Sequence, residues 1–198
     1  MSENNGNLKT PEGRVSFPRV FEKNHRSGKY ELTLVFPKDT DLSLLQAAAR
    51  EAVKAKWGDK IPSGLRNPFR KVSDKMSTYG EDFDPGDVFV CFRSQNRQPM
   101  IVDAAVQPIM TQSDFYPGCW ARVSTNAYAY DREGNKGVAF GLINIQKIRA
   151  DDPLAGILKR AFKPEDDFER VLADSSEDLA AFGTDDDIFG SDDDDISF

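Results

Sequence analysis

Apolar and polar positions alternate most regularly between Lys29 and Phe36. Tyr30, Leu32, Leu34 and Phe36 fall on one side, Lys29, Glu31 and Thr33 on the other. A period of two predicts a β-strand with one face buried. An earlier strand is predicted over 14–21. Pro18 inside it cannot donate a ladder hydrogen bond and marks an edge or a bulge. Over 41–57 the pattern becomes helical: Ala and Leu fill the segment, Thr40 or Asp41 stands at the N-cap, and Gly58 ends it. Residues 60–86 contain Pro62, Gly64, Pro68, Gly80, Pro85 and Gly86, which predicts a long irregular excursion. Short strands follow at 87–93 and 100–104. The strongest signal is a pair of long strand-like runs, 119–131 and 137–149. They flank a hairpin loop in which Gly134 and Asn135 supply positive φ. Five or six strands around one main helix predict a mainly β fold, an OB-fold-like closed or nearly closed barrel. A β-sandwich is the structural alternative. Segment 1–12 is polar and expected to be loose, 13–163 forms the domain, and 164–198 is an acidic tail expected to be disordered.

The run 119–131 has two distinct faces. Cys119, Ala121, Val123, Thr125, Ala127 and Ala129 make a small, mostly apolar face, as the inside of a narrow barrel requires. Trp120, Arg122, Ser124, Asn126, Tyr128 and Tyr130 make the other. Rings, a guanidinium and polar groups on an outer face offer a base-stacking platform with a phosphate anchor. The competing reading puts Trp120 and one tyrosine over a satellite core beneath the 60–86 excursion. Further cations lie beside rings: Arg66, Phe69, Arg70, Lys71, Lys75 and Tyr79 within the excursion, then Phe92, Arg93 and Arg97, then Phe115 and Tyr116. Any one of them could be an ordinary solvated surface residue. Together they suit a groove that tracks a nucleic-acid backbone.

Charge divides the chain in two. The 35 residues of 164–198 hold 14 acidic residues and one basic residue, a net of −13. Residues 1–163 hold 19 acidic and 25 basic residues, a net of +6. The overall −7 therefore conceals a mildly basic body that suits an anionic ligand. The tail ends in Asp192, Asp193, Asp194, Asp195, Ile196, Ser197 and Phe198, with a weaker copy at Asp185–Phe189. A charge run is often only a solvated tail. Apolar residues at the end of such a run, and its repetition, instead point to a peptide that docks into a partner.

Catalytic chemistry finds little support. His25 is the single histidine, which leaves no Ser/His or Cys/His arrangement of strength. Cys91 and Cys119 lack metal-ligand spacing and sit in apolar runs, so they read as buried free thiols of a reducing compartment, with a disulfide the weaker alternative. No phosphate-binding glycine loop is present. Glu81, Asp82, Asp84 and Asp87 could be imagined as a nuclease metal cluster, but around Pro85 and Gly86 they read as turn residues. No metal or other cofactor is expected, and no enzymatic activity. No run of 18 apolar residues and no signal-peptide pattern occurs, so no membrane association and a cytoplasmic location are expected.

The block Phe115–Ser124, then Asn126–Tyr130, then Asn135–Lys147 resembles the core of the Enc34-like phage single-stranded-DNA-binding proteins. Gly13–Phe21 and Lys29–Lys38 are also similar to that family. The resemblance extends over most of 13–162. It implies an OB-fold, preference for single-stranded DNA, and a role in phage DNA replication, recombination or repair in the host cytoplasm. The plan of an OB body with an acidic, aromatic-ended tail also resembles the T7-type phage binding proteins. The tip resembles that of bacterial single-stranded-DNA-binding proteins, with Ser197 where they carry Pro. It implies recruitment of replication or recombination proteins through the tail, while a homodimer is left open. The resemblance assigns no individual DNA contacts. A DNA-mimicking acidic adaptor, whose body merely presents the tail, is the alternative from a different class.

Overall fold

The computed structural model describes residues 7–155, and the tail 164–198 lies outside the described residues. The chain is organised around one sheet that closes on itself. Strand β1 is Leu8–Lys9, β2 Gly13–Asn24 and β3 Lys29–Phe36. Helix α1 follows at Ser43–Trp57, then β4 at Arg70–Lys71 and a single-turn helix α2 at Met76–Tyr79. Strands β5 (Val88–Ser94), β6 (Met100–Val102), β7 (Trp120–Arg132) and β8 (Asn135–Arg149) complete the list. Pairings β7–β2–β3–β5–β8 and back to β7 form a ring of five. All its contacts are antiparallel except β5–β8, which is parallel. Five strands closed this way, with β1, β4 and β6 added as short outer pieces, make an OB-type barrel.

Inside the ring, Val15, Leu32, Leu34, Phe36, Val90, Phe92, Ala121, Val123, Phe140 and Leu142 form the core. The small residues of β7 face in, as its alternation predicts. Leu42, Leu45 and Ala49 of α1 join that core, and the helix packs on β7 and β8. Its start differs from expectation. Leu42 occupies the N-cap, and Asp41 only accepts a hydrogen bond from the Ser43 N–H (2.9 Å). Gly58 closes the helix with φ 57°.

Three further differences have physical causes. The segment ahead of residue 13 is not wholly loose: Leu8–Lys9 pairs with β7, and the buried Thr10 hydroxyl accepts the Val123 N–H (3.0 Å). The β7–β8 hairpin is tighter than the loop expected between the runs ending at 131 and starting at 137, because pairing continues to Arg132↔Asn135. Glu133 and Gly134, at φ 50° and 79°, make the two-residue turn, so Asn135 is already strand. The excursion between α1 and β5 is partly ordered. It lays Val72 and Tyr79 over Val35 and Phe89 on the outer face of β3 and β5, as a second small core. Both cysteines are free; Cys119 is buried, which pushes its thiol pKa up, while Cys91 is only half-buried.

Candidate nucleic-acid interface

The barrel register builds an outward row that crosses all five strands. Arg19 of β2 pairs with Glu31 of β3, Glu31 with Arg93 of β5, Arg93 with Gly141 of β8, and Gly141 with Asn126 of β7. The adjacent row contains Ser16, Thr33 and Cys91, with the Ala139↔Tyr128 pair on the far strands. Four inter-strand steps give a path of about 19 Å along the arc. Gly141, without a side chain, leaves room for Asn126 to lie across it.

Exposed rings stand near both ends of this trough. At one end Phe17 is 36 % exposed. The pairing of β2 with β3 slips between Ser16 and Arg19, and Phe17 adopts φ 48°. Pro18 thus does mark a bulge, and the bulge turns a ring outward. That ring meets Tyr79 edge-on at 5.7 Å. At the other end Tyr128 is 42 % exposed. Between Phe17 and the β2–β3 turn opens a cleft of about 510 Å³ lined by Arg19, Lys23, His25, Arg26 and Arg93 among others. Glu31 organises it: its carboxylate accepts hydrogen bonds from Asn24 Nδ2, Ser27 Oγ (3.2 Å) and Arg93 Nε (3.3 Å). The turn and Arg93 are thereby held against one side chain, and the rest of the Arg93 fork faces solvent. In OB barrels the face of the second and third strands, flanked by the first turn and the last hairpin, is where oligonucleotides bind. Here those are β3, β5, the 24–29 turn and the 132–135 hairpin.

The residues singled out in the sequence separate into groups. Arg93 and Tyr128 belong to the trough. Tyr130 and Arg66 adjoin its hairpin end. The Arg66 N–H donates to the Lys136 carbonyl (2.9 Å), and a Cβ on Gly137 would come within 2.8 Å of Arg66 and 2.9 Å of the Tyr130 hydroxyl. Only a glycine admits that crossing. Arg70, Lys71 and Lys75 are exposed on the segment that roofs the second core, with Arg70 over the Phe89 ring at 5.5 Å. Arg97 is exposed on the loop after β5. Phe69 packs edge-on against Phe140 at 5.7 Å.

Two assignments need correction. Phe92 is 0 % exposed in the barrel core and Tyr79 is 6 % exposed. Neither ring offers a face to a base. Burial also lifts the Tyr79 phenol to a pKa of about 12. The outer face of β7 is moreover not one platform. Trp120 lies eight residues from Tyr128, about 26 Å along an extended strand. It is half-buried under Arg149 (4.1 Å from the ring centroid) and its N–H donates to Asp151 Oδ2 (2.7 Å). The Tyr116 hydroxyl donates to the Asp151 carbonyl (2.9 Å), and Arg122 Nε to Gln146 Oε1 (2.9 Å). With Arg14 Nη2 donating to the Asp152 carbonyl (2.9 Å), Trp120, Tyr116 and Arg14 clasp the 149–152 segment to the body, while Arg122 is held along the β7–β8 pair by Gln146. Phe17, Arg19, Lys23 and Arg26 were absent from the candidates read off the sequence, and Asn126 appeared there only as a polar member of the outer face of 119–131. Pro18 pointed to the bulge that exposes Phe17; nothing local revealed the cross-strand register.

Among the described residues no cluster of His, Cys, Asp or Glu is arranged to hold a metal ion. Asp87 is a turn residue, accepting the N–H groups of Lys38 and Asp84 at 3.1 Å each. Among the described residues no helix is long and apolar enough to cross a membrane.

Residues 7–180 match the model of the family described as Enterobacter phage Enc34, ssDNA-binding protein. The chain belongs to this family. Its fold is shared with solved phage proteins. The bacteriophage Enc34 single-stranded-DNA-binding protein in complex with ssDNA is 20 % identical, with a TM-score of 0.60 over 77 % of this chain and 91 % of that one. A C-terminal truncation of the same protein gives 18 % and 0.61 over 76 % and 90 %. The single-stranded-DNA-binding protein gp2.5 encoded by bacteriophage T7 gives 12 % and 0.57 over 83 % and 98 %. A search of curated protein sequences gives no match.

Proposed function

We propose that this protein coats exposed single-stranded DNA during phage replication, recombination or repair, with the strand lying across the barrel in the Phe17–Tyr128 trough. The observation that carries this reading is the outward row Arg19–Glu31–Arg93–Gly141–Asn126, with an exposed ring toward either end. Membership of a single-stranded-DNA-binding family supports it, as does the solved complex of the Enc34 protein with ssDNA. Rings take base faces, and Arg19, Arg93, Lys23 and Arg26 take phosphates. Neither reads a base edge, so sequence preference is small. The tail adds two roles. Its aspartates 192–195 compete with DNA for the basic body, and Ile196 and Phe198 dock into replication or recombination proteins.

Titration of labelled single- and double-stranded oligonucleotides into the full chain and into a chain lacking 164–198 tests both halves. Single strands should bind with little regard to sequence, and affinity should fall with salt by about 0.7 log unit per log unit for each phosphate neutralised. Loss of the tail should tighten binding, most at low salt, where charge is least screened. Salt-independent affinity sinks the DNA reading. Equal affinity with and without the tail at low salt sinks the competition.

A further inference from the structure

Arg66 lines a second groove, of about 730 Å³, between α1 and the segment that follows it. Its floor is apolar and includes Val53, Ile61 and Phe69. Ile61 is 57 % exposed, while Val53 and Phe69 are half-buried, each with one side on the core and the other lining the groove. The rim is cationic. Arg50 and Lys54 stand one helical turn apart on α1, and Arg66 faces them from the loop. None of the three forms an ion pair among the described residues. Asp59 is the one acidic residue in the lining. Three cations against one carboxylate, over a partly exposed apolar floor, suit a polyanion whose repeating units carry apolar faces.

Position selects which polyanion. The Arg66 backbone crosses Gly137 beside the Tyr130 hydroxyl, at the hairpin end of the trough. A strand leaving the trough past Tyr128 and Tyr130 therefore meets Arg66 first and the α1 cations next. An acidic peptide, this chain's own tail included, would satisfy the same charges; continuity with the trough at Arg66 and Gly137 favours the strand.

We infer that the α1 groove is a second single-stranded-DNA subsite, continuous with the trough through Arg66. It takes the nucleotides beyond Tyr130, with their phosphates on Arg66, Arg50 and Lys54 and their bases over the apolar floor. This rests on the single-strand reading above and extends it, since the α1 cations belong to no part of the barrel face.

The test is length dependence in the full chain, using labelled oligothymidines of about 4 to 16 nucleotides, the range of site sizes for one OB barrel. The double variant Arg50→Gln/Lys54→Gln alters two exposed side chains and should keep the wild-type melting temperature. It should bind the shortest ligands as the wild type does. On the longest it should lose roughly 25-fold at about 0.1 M salt, and its salt slope should flatten by about 1.4, as expected for two phosphates released. Lys56→Gln, on the same helix but outside the groove lining, should show no length-dependent loss. Equal loss at every length means a diffuse charge effect and overturns the subsite, as does no loss at any length. A synthetic copy of residues 185–198 that binds through Arg50 and Lys54, with DNA of all lengths unaffected, assigns the groove to a peptide and overturns it too. Wild-type protein that binds no oligothymidine at all refutes the single-strand reading itself, a distinct result.

Discussion

Strand β7 presents Trp120 near one end and, on the same face eight residues later, Tyr128. The two positions obey the same alternation and sit among similar neighbours, an arginine two residues along in one case and a second tyrosine in the other. Their fates differ. Trp120 is covered by Arg149, donates to Asp151, and helps fasten the 149–152 segment to the barrel. Tyr128 is left open beside Ala139 and shares a trough with Arg93. What separates them is the company that other strands bring. Close to Trp120, β2 and the chain's return after β8 supply Arg14 and Asp151. Close to Tyr128, β8 supplies only small residues, Gly137, Ala139 and Gly141. A ring is structural where large polar partners converge on it, and available where its neighbours are small.

The largest expected effect breaks the structural end. Trp120→Ala should cost about 2–3 kcal/mol of folding stability, below the roughly 3–5 of a fully buried tryptophan. Affinity for single strands per folded molecule should stay unchanged. Chemical denaturation and oligonucleotide titration of the same sample check this, and a selective loss of binding would return Trp120 to the interface.

Next in size, Tyr128→Ala should weaken single-strand binding by about 1–3 kcal/mol, the worth of one stacked base. Its melting temperature should barely move, because the ring is largely exposed. Phe17→Ala should behave alike, with a small stability loss for its edge contact with Tyr79. Unchanged affinity in both variants would leave the trough without stacking rings and would end the proposed DNA path.

The smallest effect is confined to acid. The Trp120 N–H donating to Asp151, helped by the Asp152 N–H, holds the Asp151 carboxyl below its ordinary pKa of 3.8. A carboxyl depressed on folding contributes stability above its unfolded pKa and loses it as pH falls through the folded one. The clasp should therefore loosen only below about pH 4, seen as a change in tryptophan emission that Asp151→Asn abolishes. The same acid transition in Asp151→Asn would show that another group carries it. Neutral-pH DNA affinity should be the same for both proteins.

Local pattern alone determined a good deal of this molecule. The alternation at 29–36 placed β3, the small face of β7 announced the barrel interior, Gly58 marked the end of α1, and Pro18 marked the bulge at Phe17. Each of these depends on near neighbours in the chain, through period, φ preference or a missing N–H. The division into a basic body and an acidic tail is likewise plain in composition. Only the tertiary structure decided which rings are available. Phe92 and Tyr79 sit in segments that also carry cations, yet one points into the barrel and the other roofs a second core, while Tyr128, with no cation beside it in sequence, is the ring left open. The outward row depends on cross-strand partners from 12 to 62 residues apart in the chain, Arg19 with Glu31, Glu31 with Arg93, Arg93 with Gly141, and Gly141 with Asn126. Periodicity says that a side chain faces outward. It is the register of closure that says what it faces outward with.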